Sequence, residues 1–409
     1  MKKHYDILFV GAGLFNAVLA YRARKMGYSC LVIDKRETIG GNCATELRNG
    51  IMAHLYGAHI FHTSDKKVWD FVNQFTKFNN FINSPIAVSW DKQVYNLPFN
   101  MNTFAQLFGV KTPHEARERI KHEINQYKFA NNIGDDWKPS NLEEQAIMMV
   151  GTTIYERLVK EYTEKQWNRK CTELPPEIIT RLPLRFNYDN NYFNDTYQGI
   201  PHEGYSQMCA EMFKGCDIEL GVDFLKNTET TERYMKLADR VYFAGRVDEY
   251  YQYLYGALEY RSLRFEDKWV PADRGQGNAV VNYTGADVPY TRIIEHCWFD
   301  RERMDIREPG RWGTNETLLT YEYPTDWVVG REPFYPIRNA ANDMKYKQYM
   351  LYHDMYGNKK VEFVGRLGLY KYMDMDKVVA AALDWDIPKK PTIFGKIKNF
   401  LSAGEMTEV

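Results

Sequence analysis

The sequence predicts an α/β protein whose N-terminal part is a Rossmann-like dinucleotide-binding unit. Three observations predict it. A wholly apolar run, Ile7-Leu8-Phe9-Val10, ends in Gly11-Ala12-Gly13 and leads into a stretch of helical character from Leu14 to Lys25. A second apolar run, Cys30-Leu31-Val32-Ile33, completes a strand–helix–strand unit within about 30 residues. Strand-like segments then return in the C-terminal half, at 240–244, 279–284, 318–323 and 361–364. Apolar runs of this kind suit strands covered on both faces of a parallel sheet.

Between these segments the pattern changes. Apolar residues recur at mixed three- and four-residue spacing over 113–127 and 142–163, which predicts helices. Asn141 reads as an N-cap, with Glu143 and Glu144 in the first turn. Leu97-Pro98 and Leu174-Pro175-Pro176 mark the edges of this helical insertion. Near the other end, Gly365-Arg366-Leu367-Gly368 follows the 361–364 strand, and a helix is predicted over 376–383. The tail, 389–409, is basic, then polar, and reads as peripheral.

At 409 residues the chain is long for one core, so two or three packed units are expected. Its 53 basic and 54 acidic residues leave a net charge of −1, which excludes a broad field for nucleic acid or an anionic membrane. An anionic substrate therefore needs local arginines. Six scattered cysteines with no C-x-x-C pair predict free thiols and a cytoplasmic location. No apolar run approaches the ~20 residues that span a bilayer, and no leader pattern opens the chain.

The glycine turn carries the first chemistry. Gly11 allows the tight turn, and Gly13 lets backbone approach a pyrophosphate seated on the helix N-terminus. Asp34 ends the second strand, where an acid grips a ribose hydroxyl. Asn16 stands where a third glycine or alanine is usual, and predicts a slightly wider helix–strand contact. Arg36-Glu37-Thr38-Ile39-Gly40-Gly41-Asn42 follows the acid. An arginine and paired glycines there resemble the extended FAD motif of the glutathione-reductase-like superfamily.

Further blocks carry a narrower resemblance. They are Gly57-Ala58-His59-Ile60-Phe61-His62-Thr63, Tyr162-Thr163-Glu164-Lys165-Gln166-Trp167, Arg181-Leu182-Pro183-Leu184-Arg185-Phe186, Leu258-Glu259-Tyr260-Arg261-Ser262 and Tyr370-Lys371-Tyr372-Met373-Asp374-Met375-Asp376. In this order the chain resembles the UDP-galactopyranose mutases from residue 5 to about 385. The resemblance implies a discontinuous Rossmann-like FAD domain (1–82, 200–245 and 336–395), an inserted helical bundle (98–185) and an antiparallel β-sheet domain (83–97, 186–199 and 246–335). It implies an isomerase that interconverts UDP-galactopyranose and UDP-galactofuranose, with reduced flavin N5 as nucleophile at the anomeric carbon. It allows a homodimer.

The resemblance also implies site residues. Gly11, Gly13, Phe15, Asp34, Lys35, Gly41, Asn42, His59, Ile60 and Arg366 would line FAD, with the backbone of Tyr372, Met373, Asp374, Met375, Asp376 and Lys377. His62 would sit at the flavin. Asn83, Tyr162, Thr163, Trp167, Tyr192 and Asn282 would meet the nucleotide sugar. Arg181 and Arg292 would clamp the diphosphate, with Tyr335 and Tyr372 touching the phosphates; Arg181, Arg292 and His62 are the expected catalytic set. The chemistry suits these roles. A planar guanidinium binds a diphosphate through parallel hydrogen bonds, a tryptophan offers a face to uracil, and phenols donate without adding charge.

Other readings stay open at this stage. A flavin oxidase or dehydrogenase shares the FAD motifs but gives no reason for the paired arginines. A binding protein that has lost FAD draws support only from Asn16. The sugar could be galactose or its N-acetylated amine. No metal is expected: His54, His59 and His62 lack a cysteine or carboxylate that completes a ligand set.

Overall fold

The computed structural model describes residues 3–180, 182–300 and 315–390. Arg181 and the tail beyond 390 lie outside them. The chain divides into two compact units, residues 1–41, 206–257 and 343–409 in the first and 42–205 and 258–342 in the second.

Among the described residues the first unit holds a five-stranded sheet, in the order Val361–Phe363, Ala238–Phe243, Tyr5–Val10, Cys30–Asp34, Asp217–Leu220. Every pairing in it is parallel. Cys30–Asp34 is buried at each residue, as its unbroken apolar sequence requires of a strand covered on both faces. The helix Leu14–Lys25 follows the first strand. Its Arg22 donates to the carbonyls of Ala382 and Trp385, both at 2.7 Å. That satisfies carbonyls at the C-terminal end of the helix Met375–Asp384, which would otherwise lack partners. Because the strands are parallel, their C-terminal ends share one edge. Gly11, Ala244 and Gly365 lie just past three of them and Asp34 ends a fourth. Open α/β sheets bind their ligands at this edge.

The second unit holds a seven-stranded sheet among the described residues, in the order Tyr335–Pro336, Tyr260–Pro271, Glu316–Asp326, Arg292–Glu295, Val280–Tyr283, Ile86–Val88, Val94–Asn96. Its pairings are antiparallel except that between Val280–Tyr283 and Ile86–Val88. The same unit contains the helices Met101–Phe108, Pro113–Ala130, Leu142–Ile154 and Lys160–Trp167. Phe104, Ile120, Ala146, Ile147, Val150, Ile154 and Tyr155 pack into their shared core. The α/β class, a parallel sheet assembled from separate chain segments, the helical stretch and the largely antiparallel sheet agree with the expected fold. No helix among the described residues is long and apolar enough to cross a membrane.

Capping explains the helix boundaries. Asn141 accepts from the Glu144 amide at 3.0 Å, as its sequence position predicts. Thr112 and Glu115 cap Pro113–Ala130 reciprocally. The expected single helix over 142–163 is broken. At Gly151 the backbone turns to φ 78, and the buried Glu123 carboxylate takes the Thr153 amide at 2.9 Å and its hydroxyl at 2.7 Å. A wider π-type turn, Tyr155–Val159, then leads into Lys160–Trp167. The apolar spacing continues through the break, which hides it from the sequence.

Candidate functional site

The first unit presents a phosphate-binding edge. Gly13 stands at the N-cap of Leu14–Lys25 with no side-chain cap and no acid in the first turn. The helix's first amides and its positive dipole end are thus available to an anion. Gly40 donates its amide to the Ala12 carbonyl at 2.9 Å, bringing the second glycine loop onto the first. A Cβ on Gly41, at φ +58, would stand 3.0 Å from the Gly13 Cα. Gly41 therefore needs bare backbone, both for its φ and for this close approach. Asp34 is buried, with Oδ2 accepting from the Ala12 amide at 2.6 Å and Oδ1 from the Arg36 amide at 2.8 Å. Each carboxylate oxygen keeps a lone pair for a ribose hydroxyl.

Asn16 requires a correction. It does not widen the helix–strand contact. It is fully buried, and its side-chain amide donates to the carbonyls of Val10 at 3.1 Å and Gly11 at 2.8 Å. A short donor has replaced bare packing with a brace that ties the helix to the strand end and the turn.

The remaining first-unit candidates lie on two neighbouring segments. Gly365 takes a φ of +72, and a Cβ on it would be in ordinary contact with Phe15, 3.6 Å from its Cβ. Arg366 follows, and its carbonyl accepts from the Lys371 amide at 2.9 Å. Asp374 is the N-cap of Met375–Asp384, again without a side-chain cap. Asp376 is buried and takes the Lys377 amide at 2.7 Å, so Tyr372, Met373, Asp374, Met375, Asp376 and Lys377 make up a second helix start. Lys35 is exposed. Asn42, His59 and Ile60 belong to the second unit.

In the second unit, sheet register assembles a charged row. Asn282 lies opposite Arg292, and Arg292 opposite Glu322, across three neighbouring strands. Arg292 Nε stands 2.9 Å from Glu322 Oε1, and the Glu322 side chain is only 2% exposed. Among the described residues both of these atoms lack an aligned hydrogen-bond partner, so the ion pair leaves them hydrogen-bonding capacity. Burial opposes the guanidinium charge, but Glu322 and then the phenols of Tyr162, Tyr335 and Tyr192 hold the Arg292 pKa above its ordinary value. Burial pushes the Glu322 carboxyl up, against the pull of Arg292.

Other expected substrate residues lie in the same unit. The Tyr192 amide donates to the Asn83 carbonyl at 2.8 Å. Tyr162, Thr163 and Trp167 share the helix Lys160–Trp167, with Trp167 packed against the helical core. Sequence reasoning gave Lys165 no role, yet its Nζ donates to the carbonyls of Tyr283, Gly285 and Val288 at 2.9, 2.7 and 3.1 Å. It docks that helix beside the strand carrying Asn282. Burial lowers its pKa to about 8. Tyr372 belongs to the first unit, and Arg181 lies outside the described residues.

The histidine segment is held by residues far away in the chain. His62 Nδ1 lies 2.7 Å from Asp195 Oδ2, and its ring stacks on Phe193 at 3.7 Å between centroids. The His59 amide donates to His54 Nδ1 at 3.1 Å, and its carbonyl accepts from the Tyr205 hydroxyl at 3.1 Å. His54 is buried, and its own amide donates to His296 Nδ1 at 3.2 Å. Sequence reasoning assigned nothing to Asp195, Phe193, His296 or Glu322. The one available signal was a glutamate inside a strand-like apolar segment.

A family model for UDP-galactopyranose mutase matches residues 157–372, and one for an NAD(P)-binding Rossmann-like domain matches residues 10–75. The probable UDP-galactopyranose mutase of Klebsiella pneumoniae is 38% identical over 384 residues, covering 92% of this chain and 93% of its own. The dTDP-fucopyranose mutase of Escherichia coli is 33% identical over 384 residues, covering 92% and 96%. A crystal structure of reduced UDP-galactopyranose mutase superposes with a TM-score of 0.68 at 13% identity, covering 93% and 94%. That last likeness is one of fold. The match to more than half of the chain and the two close relatives decide the matter: this chain belongs to the UDP-galactopyranose mutase family.

Proposed function

We propose that the protein interconverts UDP-galactopyranose and UDP-galactofuranose by ring contraction, with FAD in its reduced form as cofactor. One observation carries the reading: the row Asn282, Arg292, Glu322, with the phenols of Tyr162, Tyr192 and Tyr335 around the guanidinium. As the anomeric bond breaks, negative charge grows on the departing diphosphate. A buried, pre-oriented cation lowers the barrier most at that moment. The phenols donate hydrogen bonds without adding charge, and Trp167 offers a face to uracil. Arg181 is proposed as the second arm of the clamp. Asn83 and Thr163 complete the nucleotide contacts.

The first unit's edge suits FAD. The uncapped helix at Gly13, the contact between Gly13 and Gly41 and the ribose-facing Asp34 match a pyrophosphate and its sugar. Phe15, Lys35, Arg366 and the 372–377 backbone, with Asn42, His59 and Ile60, would hold the rest. When bound and reduced, the flavin supplies the nucleophile for the anomeric carbon. His62, oriented by Asp195, is proposed to hold its polar atoms toward that reacting nitrogen. The six free thiols suit a cytoplasmic protein.

The test is turnover of UDP-galactofuranose by reduced and by oxidised protein. Product should form only with the reduced protein, and equal rates would overturn the mechanism. The relative named for dTDP-fucopyranose, at 33% identity, favours one second reading. The same assay with dTDP-fucofuranose decides it: faster turnover of that substrate would move the assignment to a deoxy sugar on a thymine nucleotide.

A further inference from the structure

Cys30 and Cys216 are both free, and they meet across a pair of strands. Cys30–Asp34 and Asp217–Leu220 run parallel with Leu31 opposite Asp217. Cys30 and Cys216 therefore occupy the next position of the same register. Residues level with each other on paired strands point to one face. Paired strands lie about 4.8 Å apart, inside the roughly 4.4–6.8 Å Cα separation that a disulfide spans.

The two thiols differ in setting. Cys30 is 3% exposed, whereas Cys216 is partly exposed at the start of an edge strand. The Arg24 guanidinium lies over the neighbouring Gly215, with Nη2 2.6 Å from where a Cβ would stand. The adjacent Cys30 thiol, and then the Arg24 charge, draw the Cys216 thiol below its ordinary pKa; burial and Asp217 oppose this. A partly exposed thiol beside a cation, with a second thiol buried next to it, is the arrangement in which oxidation stops at a disulfide.

We infer that Cys216 and Cys30 form a reversible modification site, a disulfide made on reaction with a hydroperoxide. The Cys216 thiolate attacks a peroxide oxygen, the O–O bond breaks, and water leaves once the departing oxygen is protonated. Cys216 is then a sulfenic acid. The Cys30 sulfur attacks it, the S–O bond breaks, and the departing hydroxide takes the Cys30 proton as a second water. Two thiols are oxidised to one disulfide and one hydrogen peroxide is reduced to two waters. A small dithiol reverses the reaction by exchange. The bond fastens the edge strand to its neighbour and closes the chain around 42–205. It lies at the opposite end of the strand from Asp34, so the inference does not depend on the proposed activity.

The test is peptide mapping of the whole protein after hydrogen peroxide, with alkylation under denaturing conditions and digestion without reductant. A linked pair of peptides containing Cys30 and Cys216 should appear, lighter than the free pair by the two thiol hydrogens and lost on dithiothreitol. Thermal unfolding of the oxidised protein should move to higher temperature and return on reduction. In Cys216→Ser, Cys30 should stay a thiol. In Cys30→Ser, Cys216 should progress to sulfinic acid. Wild-type protein that yields Cys216 sulfinic acid without the linked peptides, or a link between molecules instead, would overturn the inference.

Discussion

His62 and Asp195 are joined by a 2.7 Å contact between Nδ1 and Oδ2, and the other carboxylate oxygen accepts from the Ser64 hydroxyl at 2.9 Å. An ionised carboxylate only accepts, so Nδ1 carries the proton and Nε2 is the ring's remaining polar atom. Phe193 stacks on the ring and fixes its plane. The histidine is thus held in one orientation and one tautomer before any ligand arrives.

Removing that hold should reduce turnover more than binding. A hydrogen bond to a charged group contributes roughly 1.5–3 kcal/mol, so Asp195→Ala should lower kcat by about 10–100-fold. KM should move much less. Asp195→Asn keeps an acceptor and should retain more activity than the alanine variant. Steady-state kinetics on both variants checks this. A loss confined to KM, or to the folded fraction, would show that His62 needs no positioning by Asp195.

The buried pair Arg292 and Glu322 separates stability from catalysis. Arg292→Ala leaves a carboxylate uncompensated in the interior and should destabilise the protein by about 3–5 kcal/mol. Replacing both residues by leucine removes both desolvation penalties and should recover most of that loss. It should not recover turnover, since the cation for the departing diphosphate is gone. Denaturant melts and kcat/KM on the two variants check this. If the double variant turned over like the wild type, Arg292 would have no part in the reaction.

The two buried histidines set a pH dependence. Burial holds His296 down to about 4 and His54 well below its ordinary value. Between about 4 and 6.5 the unfolded chain binds more protons than the native one, so stability rises with pH through that window and is lost as pH falls. The His296 shift alone corresponds to about 3 kcal/mol. His296→Gln removes that titration while keeping an acceptor for the His54 amide and a polar partner for the Thr320 hydroxyl, which lies 2.7 Å from His296 Nε2. Its unfolding midpoint in urea should change less between about pH 5 and pH 7 than the wild type's. Equal slopes would assign the dependence to other groups.

What the sequence revealed follows from where each constraint lies. The strand–turn–helix at Gly11 was legible because burial on both faces leaves Ile7-Leu8-Phe9-Val10 no polar position. Asn141 was legible because a cap is local. Asp195 was not, since strand pairing brings it to His62 from 133 residues away. Glu322 reads alone as an exposed strand residue; only the register with Arg292 makes it a buried counterion. The break at Gly151 is set by Glu123 on another helix, while the local apolar spacing runs on unchanged.

Asn16 shows how a departure from a fingerprint can be supportive. The dinucleotide pattern suggests that Asn16→Gly would improve the turn. The structure gives the opposite sign, because the side chain donates to the Val10 and Gly11 carbonyls from a fully buried site. Glycine would leave both carbonyls without these donors and add backbone freedom to the first turn of the helix. Each lost bond costs about 0.5–1.5 kcal/mol, and glycine in a helix costs roughly 0.5–1 kcal/mol more. Asn16→Gly should therefore unfold at lower urea and, if the turn holds FAD, retain less flavin per chain after gel filtration. Asn16→Gln, too long to reach both carbonyls from that position, should fall on the same side. A glycine variant as stable as the wild type, with equal flavin content, would show that the brace contributes nothing.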